Sequence, residues 1–135
     1  MDDSYARTQI LTASPLRLRG LILERSVREA GRLADAIATD NGETIVESGN
    51  LLRSLILELL PSVSAGVEPE LRRALEQTYL FLVQRVGEAS AGRDELAARE
   101  VVELLRYEEE TWRQVTSRMQ ATPKTTPPGK INLAG

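Results

Sequence analysis

The residues with the most chemical potential are Glu108-Glu109-Glu110, close to the end of the patterned part of the chain. Three carboxylates in a row invite a reading as metal ligands or as an acid–base pair. Neighbouring residues on a helix point about 100° apart, so these three do not converge on one atom. Arg106 and Arg113 flank the run and supply local partners, as on a solvated helix face. The remaining inventory is short. The 135 residues include no Cys and no His. Thiolate ligands, disulfides, imidazole bases and a phosphoacceptor imidazole are therefore excluded. Di-iron carboxylate bundles pair Glu with His, and haem bundles use an axial His; neither can be built here. Gly20, Gly31, Gly49 and Gly87 stand alone and form no phosphate-cradling loop. The sequence predicts no enzyme, no cofactor and no metal site.

Charge and hydropathy remove further classes. There are 17 basic and 20 acidic residues, and no block of Lys or Arg. No nucleic-acid partner and no basic membrane-binding surface are expected. The most apolar run, residues 51–60, carries Arg53 and Glu58 and is too short to span a bilayer. The first residues, Met1-Asp2-Asp3-Ser4-Tyr5, are acidic and lack the apolar core of an export signal. A cytoplasmic protein of one domain is the expectation.

What such a chain can offer a partner is its elements, and Gly and Pro mark them off. Residues 1–13 read as an arm carrying Tyr5, Ile10 and Leu11. Ser14-Pro15 is a helix start: the hydroxyl can accept from a free backbone N–H, and Pro suits the first helical position. The first helix runs to about Thr39, followed by an Asp40-Asn41-Gly42 turn. The second runs from about Glu43 to Leu60 and is stopped by Pro61. Ser62 to Gly66 is a loop. Val67-Glu68-Pro69-Glu70 opens the third helix, with acidic residues where the helix dipole favours them. It ends near Ser90, ahead of Ala91-Gly92. The fourth runs from near Asp94 to Gln120. Residues 121–135, rich in Thr, Pro, Gly and Lys, offer little apolar surface and are expected to be a disordered tail. No stretch alternates with period two. The expected fold is all-α: an antiparallel up-down four-helix bundle over residues 14–120 with a short N-terminal cap segment.

The faces of the helices differ. The third carries a stripe of Leu71, Leu75, Thr78, Leu82, Val86 and Ala89. The fourth carries Ala97, Val101, Leu104, Leu105, Trp112, Val115 and Met119. Both are of ordinary core width. The first helix has two apolar faces, one with Leu18, Ile22, Leu33 and Ile37, the other with Leu16, Leu23, Val27, Ala30 and Ala34. The second has a core face of Ile45, Leu52, Leu55, Ile56 and Leu59, widened by Val46, Leu57 and Leu60, with Leu51 on the opposite flank. The third adds Leu80 on its polar back, and Tyr79, Phe81 and Val83 beside its core. Such breadth has two sources: central burial against three neighbours, or a groove that receives a partner helix. The arm's Tyr5, Ile10 and Leu11 could cover that groove when it is empty. Two charges interrupt the stripes, Arg19 and Glu108. Either both reach water at a wet margin, or Glu108 pairs with Arg19 or Arg25 of the first helix, its antiparallel neighbour.

Three segments carry a family resemblance: Tyr5 with Ile10-Leu11-Thr12-Ala13-Ser14-Pro15; residues 75–89, from Leu75-Glu76-Gln77-Thr78-Tyr79 to Ala89; and Val101-Val102-Glu103-Leu104-Leu105-Arg106 followed by Glu110-Thr111-Trp112. Their order and spacing resemble the FliS family, flagellar secretion chaperones of the cytosol, over residues 5 to about 118. Where the family usually has acidic residues after Ser-Pro, Leu16-Arg17 stands here, and Leu23-Glu24-Arg25 replaces its usual Tyr-Asp-Gly. The resemblance implies a four-helix bundle whose apolar grooves bind the C-terminal region of flagellin, preventing premature polymerisation and keeping it ready for export, with the flagellar export apparatus as a second partner. On that reading Leu51, Leu57, Tyr79, Leu80 and Val83 face the client. Tyr5, Ile10 and Leu11 form a groove cap that yields to it. The alternative from the residues alone is a structural module in which the apolar excess closes a homodimer.

Overall fold

The computed structural model describes residues 14–61 and 67–121, with the side chains of the last two left aside. The expected arm with Tyr5, Ile10 and Leu11, the expected loop at 62–66 and the expected tail after Ala121 lie outside the described residues.

Helix starts and stops follow local chemistry. Ser14 Oγ accepts from the Arg17 N–H at 3.2 Å and Pro15 takes the first position of α1, Pro15–Ala38. Asp40 turns the chain with a left-handed φ of 55°. Asn41 Oδ1 then accepts from the Thr44 N–H at 3.2 Å, capping α2, Gly42–Leu59. Helix α3, Pro69–Gly92, starts on Pro with Glu70 in its first turn. It runs through Ala91-Gly92, where a stop was expected. The left-handed cap is Arg93, at φ 50°, and both Arg93 and Asp94 donate backwards to the Ala89 carbonyl. Asp94 Oδ1 accepts from the Ala97 N–H at 3.1 Å and opens α4, Glu95–Ala121. No strand occurs among the described residues.

The helices form a closed ring. α1 packs most extensively, on α2 and on α4, and α3 completes the ring between those two. Ion pairs cross each of three seams: Arg32–Glu47 at 2.7 Å between α1 and α2, Arg85–Glu100 at 2.8 Å between α3 and α4, and Arg99–Asp35 at 3.4 Å between α4 and α1. Every such pair joins an early part of one helix to a late part of the next, so neighbours are antiparallel. The all-α up-down bundle expected from the sequence is the fold observed.

The core is a stack of buried side chains: Leu23, Ala30 and Leu33 from α1, Leu52, Ile56 and Leu59 from α2, Leu82 and Val86 from α3, Val101 and Leu105 from α4. Ser26 and Ser48 are buried with them, and each hydroxyl donates to the carbonyl four residues earlier, Ile22 at 2.8 Å and Thr44 at 2.6 Å. On the α2–α3 seam Gly49 sits against Ser90, where a larger residue would meet its hydroxyl.

The helices are unequal in length. α2 has 18 residues and α4 has 27. At 1.5 Å per residue these are rods of about 27 and about 40 Å. Equal steps from the Arg32–Glu47 pair put the end of α2, at Leu59, level with Gly20 on α1. Equal steps from the Gly49–Ser90 contact put it level with Leu80 on α3. Beyond that level the first turn of α1, the first half of α3 and the last turns of α4 continue without α2.

This mismatch corrects part of the expected core. Leu71, Val115 and Met119 lie on the inward stripes of their helices, and Leu16 and Leu18 on the two apolar faces of α1. All five are exposed, Leu71 to 53% and Met119 to 51%. Their direction is as read. Their level along the bundle lies past the end of α2.

Candidate partner-binding surface

The border between the sealed half and the open half is polar. Arg19 of α1, Tyr79 of α3 and Glu108 of α4 meet there. The Arg19 guanidinium donates to the Tyr79 hydroxyl, and that hydroxyl donates to Glu108 Oε1 at 3.2 Å. Arg19 Nη2 lies 3.8 Å from the same carboxylate oxygen, both side chains being largely buried. The guanidinium also sits over the Tyr79 ring, 5.3 Å from its centroid. Of the two candidate partners for Glu108, the structure selects Arg19; Arg25 pairs with Glu29 instead. Burial pushes the Tyr79 phenol up to about 12, with Glu108 acting in the same direction and Arg19 against it. At neutral pH the hydroxyl keeps its proton and acts as both donor and acceptor.

This arrangement corrects one expected site residue. Tyr79 was read as client-facing because it flanks the α3 stripe. It is fully enclosed. Helical spacing fixed its angle to within a flank, and the Arg19–Glu108 pair explains why a phenol turns inward: an apolar ring fills space while its hydroxyl satisfies two buried charges.

Leu57 of α2 and Leu80 of α3 are exposed, to 45% and 53%, and Val83 is half-buried against the core. The register set by Gly49 and Ser90 brings Leu57, Leu80 and Val83 to similar heights on the neighbouring helices α2 and α3. Leu51, half-buried, is not part of that group: it lies on the opposite flank of α2, towards α1. The cap residues Tyr5, Ile10 and Leu11 lie outside the described residues.

Sequence reasoning missed a further feature. Between α1 and α4, at the open end, lies a groove of about 460 Å³. Leu16, Leu21, Trp112 and Met119 supply its apolar lining, and Arg17, Glu24, Glu109 and Arg113 its charged one. Gly20 lets Trp112 pack close against α1: a Cβ there would collide with the indole nitrogen. With Leu18, Leu71 and Val115, this end gathers half of the large exposed apolar side chains of the described residues. The signal that could have found it is length: Pro61 stops the second helix while the fourth keeps its apolar pattern as far as Met119.

Among the described residues no group of His, Cys, Asp and Glu could hold a metal ion. No helix there is long and apolar enough to cross a membrane. The surface offers contact area, aliphatic and aromatic, with a charged rim. That chemistry suits an amphipathic segment laid into a groove.

Comparison with known proteins gives one family. The family model described as flagellar protein FliS matches residues 1–119, which is most of the chain. No curated protein matches the sequence.

Proposed function

The chain belongs to the FliS family of flagellar proteins, a family of export chaperones, and from that premise we propose that it holds the C-terminal region of flagellin until export. The observation that carries the reading is the run of inward stripes past the end of the core. Leu71, Val115 and Met119 point towards a bundle interior that α2 does not reach, and Leu16 and Leu18 add exposed apolar surface on the first turn of α1 at the same end. An amphipathic client segment would complete it, while Leu57, Leu80 and Val83 extend the contact along α2 and α3. The N-terminal segment with Tyr5, Ile10 and Leu11 joins the bundle at Ser14, at this same end; it covers the surface until the client displaces it. Ordering an extended client costs about 2–5 kcal/mol of the gross interaction energy, which a large apolar contact offsets. Shielding that client segment prevents premature polymerisation and leaves flagellin in a state the export apparatus can accept.

The test is to mix the protein with a fragment covering the last third of flagellin and to measure mass and stoichiometry by sedimentation. A one-to-one complex is expected. Leu57→Asp and Leu80→Asp should each weaken it by about tenfold, as loss of a well-packed apolar contact does, with the thermal unfolding curve nearly unchanged. Parent-like binding by both variants would remove Leu57 and Leu80 from the site. A tight dimer indifferent to the fragment would favour self-association and overturn the chaperone reading.

A further inference from the structure

The Arg19–Tyr79–Glu108 cluster asks for a reason beyond packing. Its members come from α1, α3 and α4 and meet at the level where α2 ends. Below it the interior is almost wholly apolar, with Leu59, Leu82 and Leu105 fully buried. Above it the lining is apolar again, with Leu71, Leu75, Trp112 and Val115. A polar cluster between two apolar zones interrupts what could have been one continuous core. Buried ion pairs seldom stabilise a fold more than apolar residues of the same volume would, because desolvation offsets the Coulomb gain. They are directional, however, and they fix distances. Helices with small apolar contacts approach to about 8 Å, and bulkier contacts hold them further apart. Here an Arg reaches across to a Tyr, and the Tyr to a Glu, so three long side chains bridge α1, α3 and α4 at this level.

We propose that Arg19, Tyr79 and Glu108 are positioning residues that hold the open end of the bundle apart, keeping its apolar walls available to a client instead of collapsing on one another. The cluster touches no client; it acts through the spacing of α1, α3 and α4. Preorganisation of this kind raises affinity by sparing the client the cost of reopening the end. The inference rests on the chaperone reading for its purpose. Its geometry can be tested without a client.

The experiment compares the parent chain with the triple variant Arg19→Met, Tyr79→Phe, Glu108→Leu, which keeps volume and removes polarity. Three readouts are taken: the urea midpoint, the fluorescence of an apolar dye bound to the client-free protein, and affinity for the flagellin C-terminal fragment. The expected result is a midpoint equal to or above the parent's, dye fluorescence reduced at least about twofold, and affinity reduced at least about tenfold. The conservative variant Glu108→Gln, which still accepts from Tyr79, should stay within about threefold of the parent in affinity. Unchanged dye binding and affinity in the triple variant would overturn the proposal. So would a joint fall of midpoint and affinity, since that is the mark of a plain stability element. If the triple variant fails to fold, Tyr79→Phe alone decides by the same criteria. If the parent itself ignores the flagellin fragment, the chaperone reading fails, and the dye comparison still decides whether the cluster holds the end open.

Discussion

At the scale of single residues, Tyr79 shows how one hydroxyl can tie a fold to pH. In the unfolded chain its phenol titrates near 10; in the bundle, burial raises it to about 12. As pH rises, the unfolded state loses the proton first and is stabilised by doing so. The contribution of Tyr79 is therefore complete below about pH 10 and declines between about 10 and 12, by on the order of 2–3 kcal/mol. Urea midpoints measured across that range should fall more steeply for the parent than for Tyr79→Phe, and equal slopes would contradict the enclosed phenol. Gly20 gives a second prediction. A methyl group there would overlap the Trp112 indole. Gly20→Ala should cost about 1–3 kcal/mol through overpacking and shift the fluorescence of the single Trp; an unchanged spectrum and midpoint would mean the indole has room to move. The sequence made the Arg19–Glu108 pair legible because two charges broke two apolar stripes. It hid Tyr79, because an aromatic residue on a flank is compatible with either side of a helix surface.

At the scale of elements, the helix boundaries were legible almost to the residue wherever a side chain caps a terminus. Ser14 and Asn41 both do so. The miss came at the end of α3, where Gly92 looked like the stop and Arg93 adopts the left-handed conformation instead. The helix runs on through Ala91-Gly92 in spite of the poor helix propensity of Gly, and the turn falls one residue later. The same pole places Asp40 in a left-handed conformation too, and the two residues pair across it. Their opposing energies can be compared. A left-handed conformation costs a non-Gly residue about 1–2 kcal/mol, while an exposed ion pair contributes about 0–1 kcal/mol. Backbone relief should win. Arg93→Gly is expected to raise stability by about 0.5–1 kcal/mol, read as a higher melting temperature. A fall of that size would show that the Arg93–Asp40 pair carries more than surface pairs usually do.

At the scale of the whole molecule, periodicity reported angle and was silent about height. It placed Leu71, Val115 and Met119 on the inward sides of their helices, and Leu16 and Leu18 on the apolar faces of α1. Whether a neighbouring helix stands opposite depends on how long that neighbour is. The mismatch between α2 and α4 is the physical reason that, among the described residues, one end of this bundle keeps an unmatched apolar lining, and it was written in the chain as Pro61 set against a pattern lasting to Met119. A client surface built this way should be polar in the sense of a magnet: active at one pole and inert at the other. Leu96 supplies the control, since it is 82% exposed on the first turn of α4, at the sealed pole. Leu71→Asp and Met119→Asp should each reduce affinity for the flagellin C-terminal fragment by about tenfold, with unfolding free energies within about 1 kcal/mol of the parent, because both side chains are already half in water. Leu96→Asp should change neither quantity. Calorimetric titration of the three variants against one fragment decides the matter: equal losses at both poles would mean that exposed apolar area alone governs binding, and losses confined to Leu71 and Met119 would tie the client to the end that α2 leaves open.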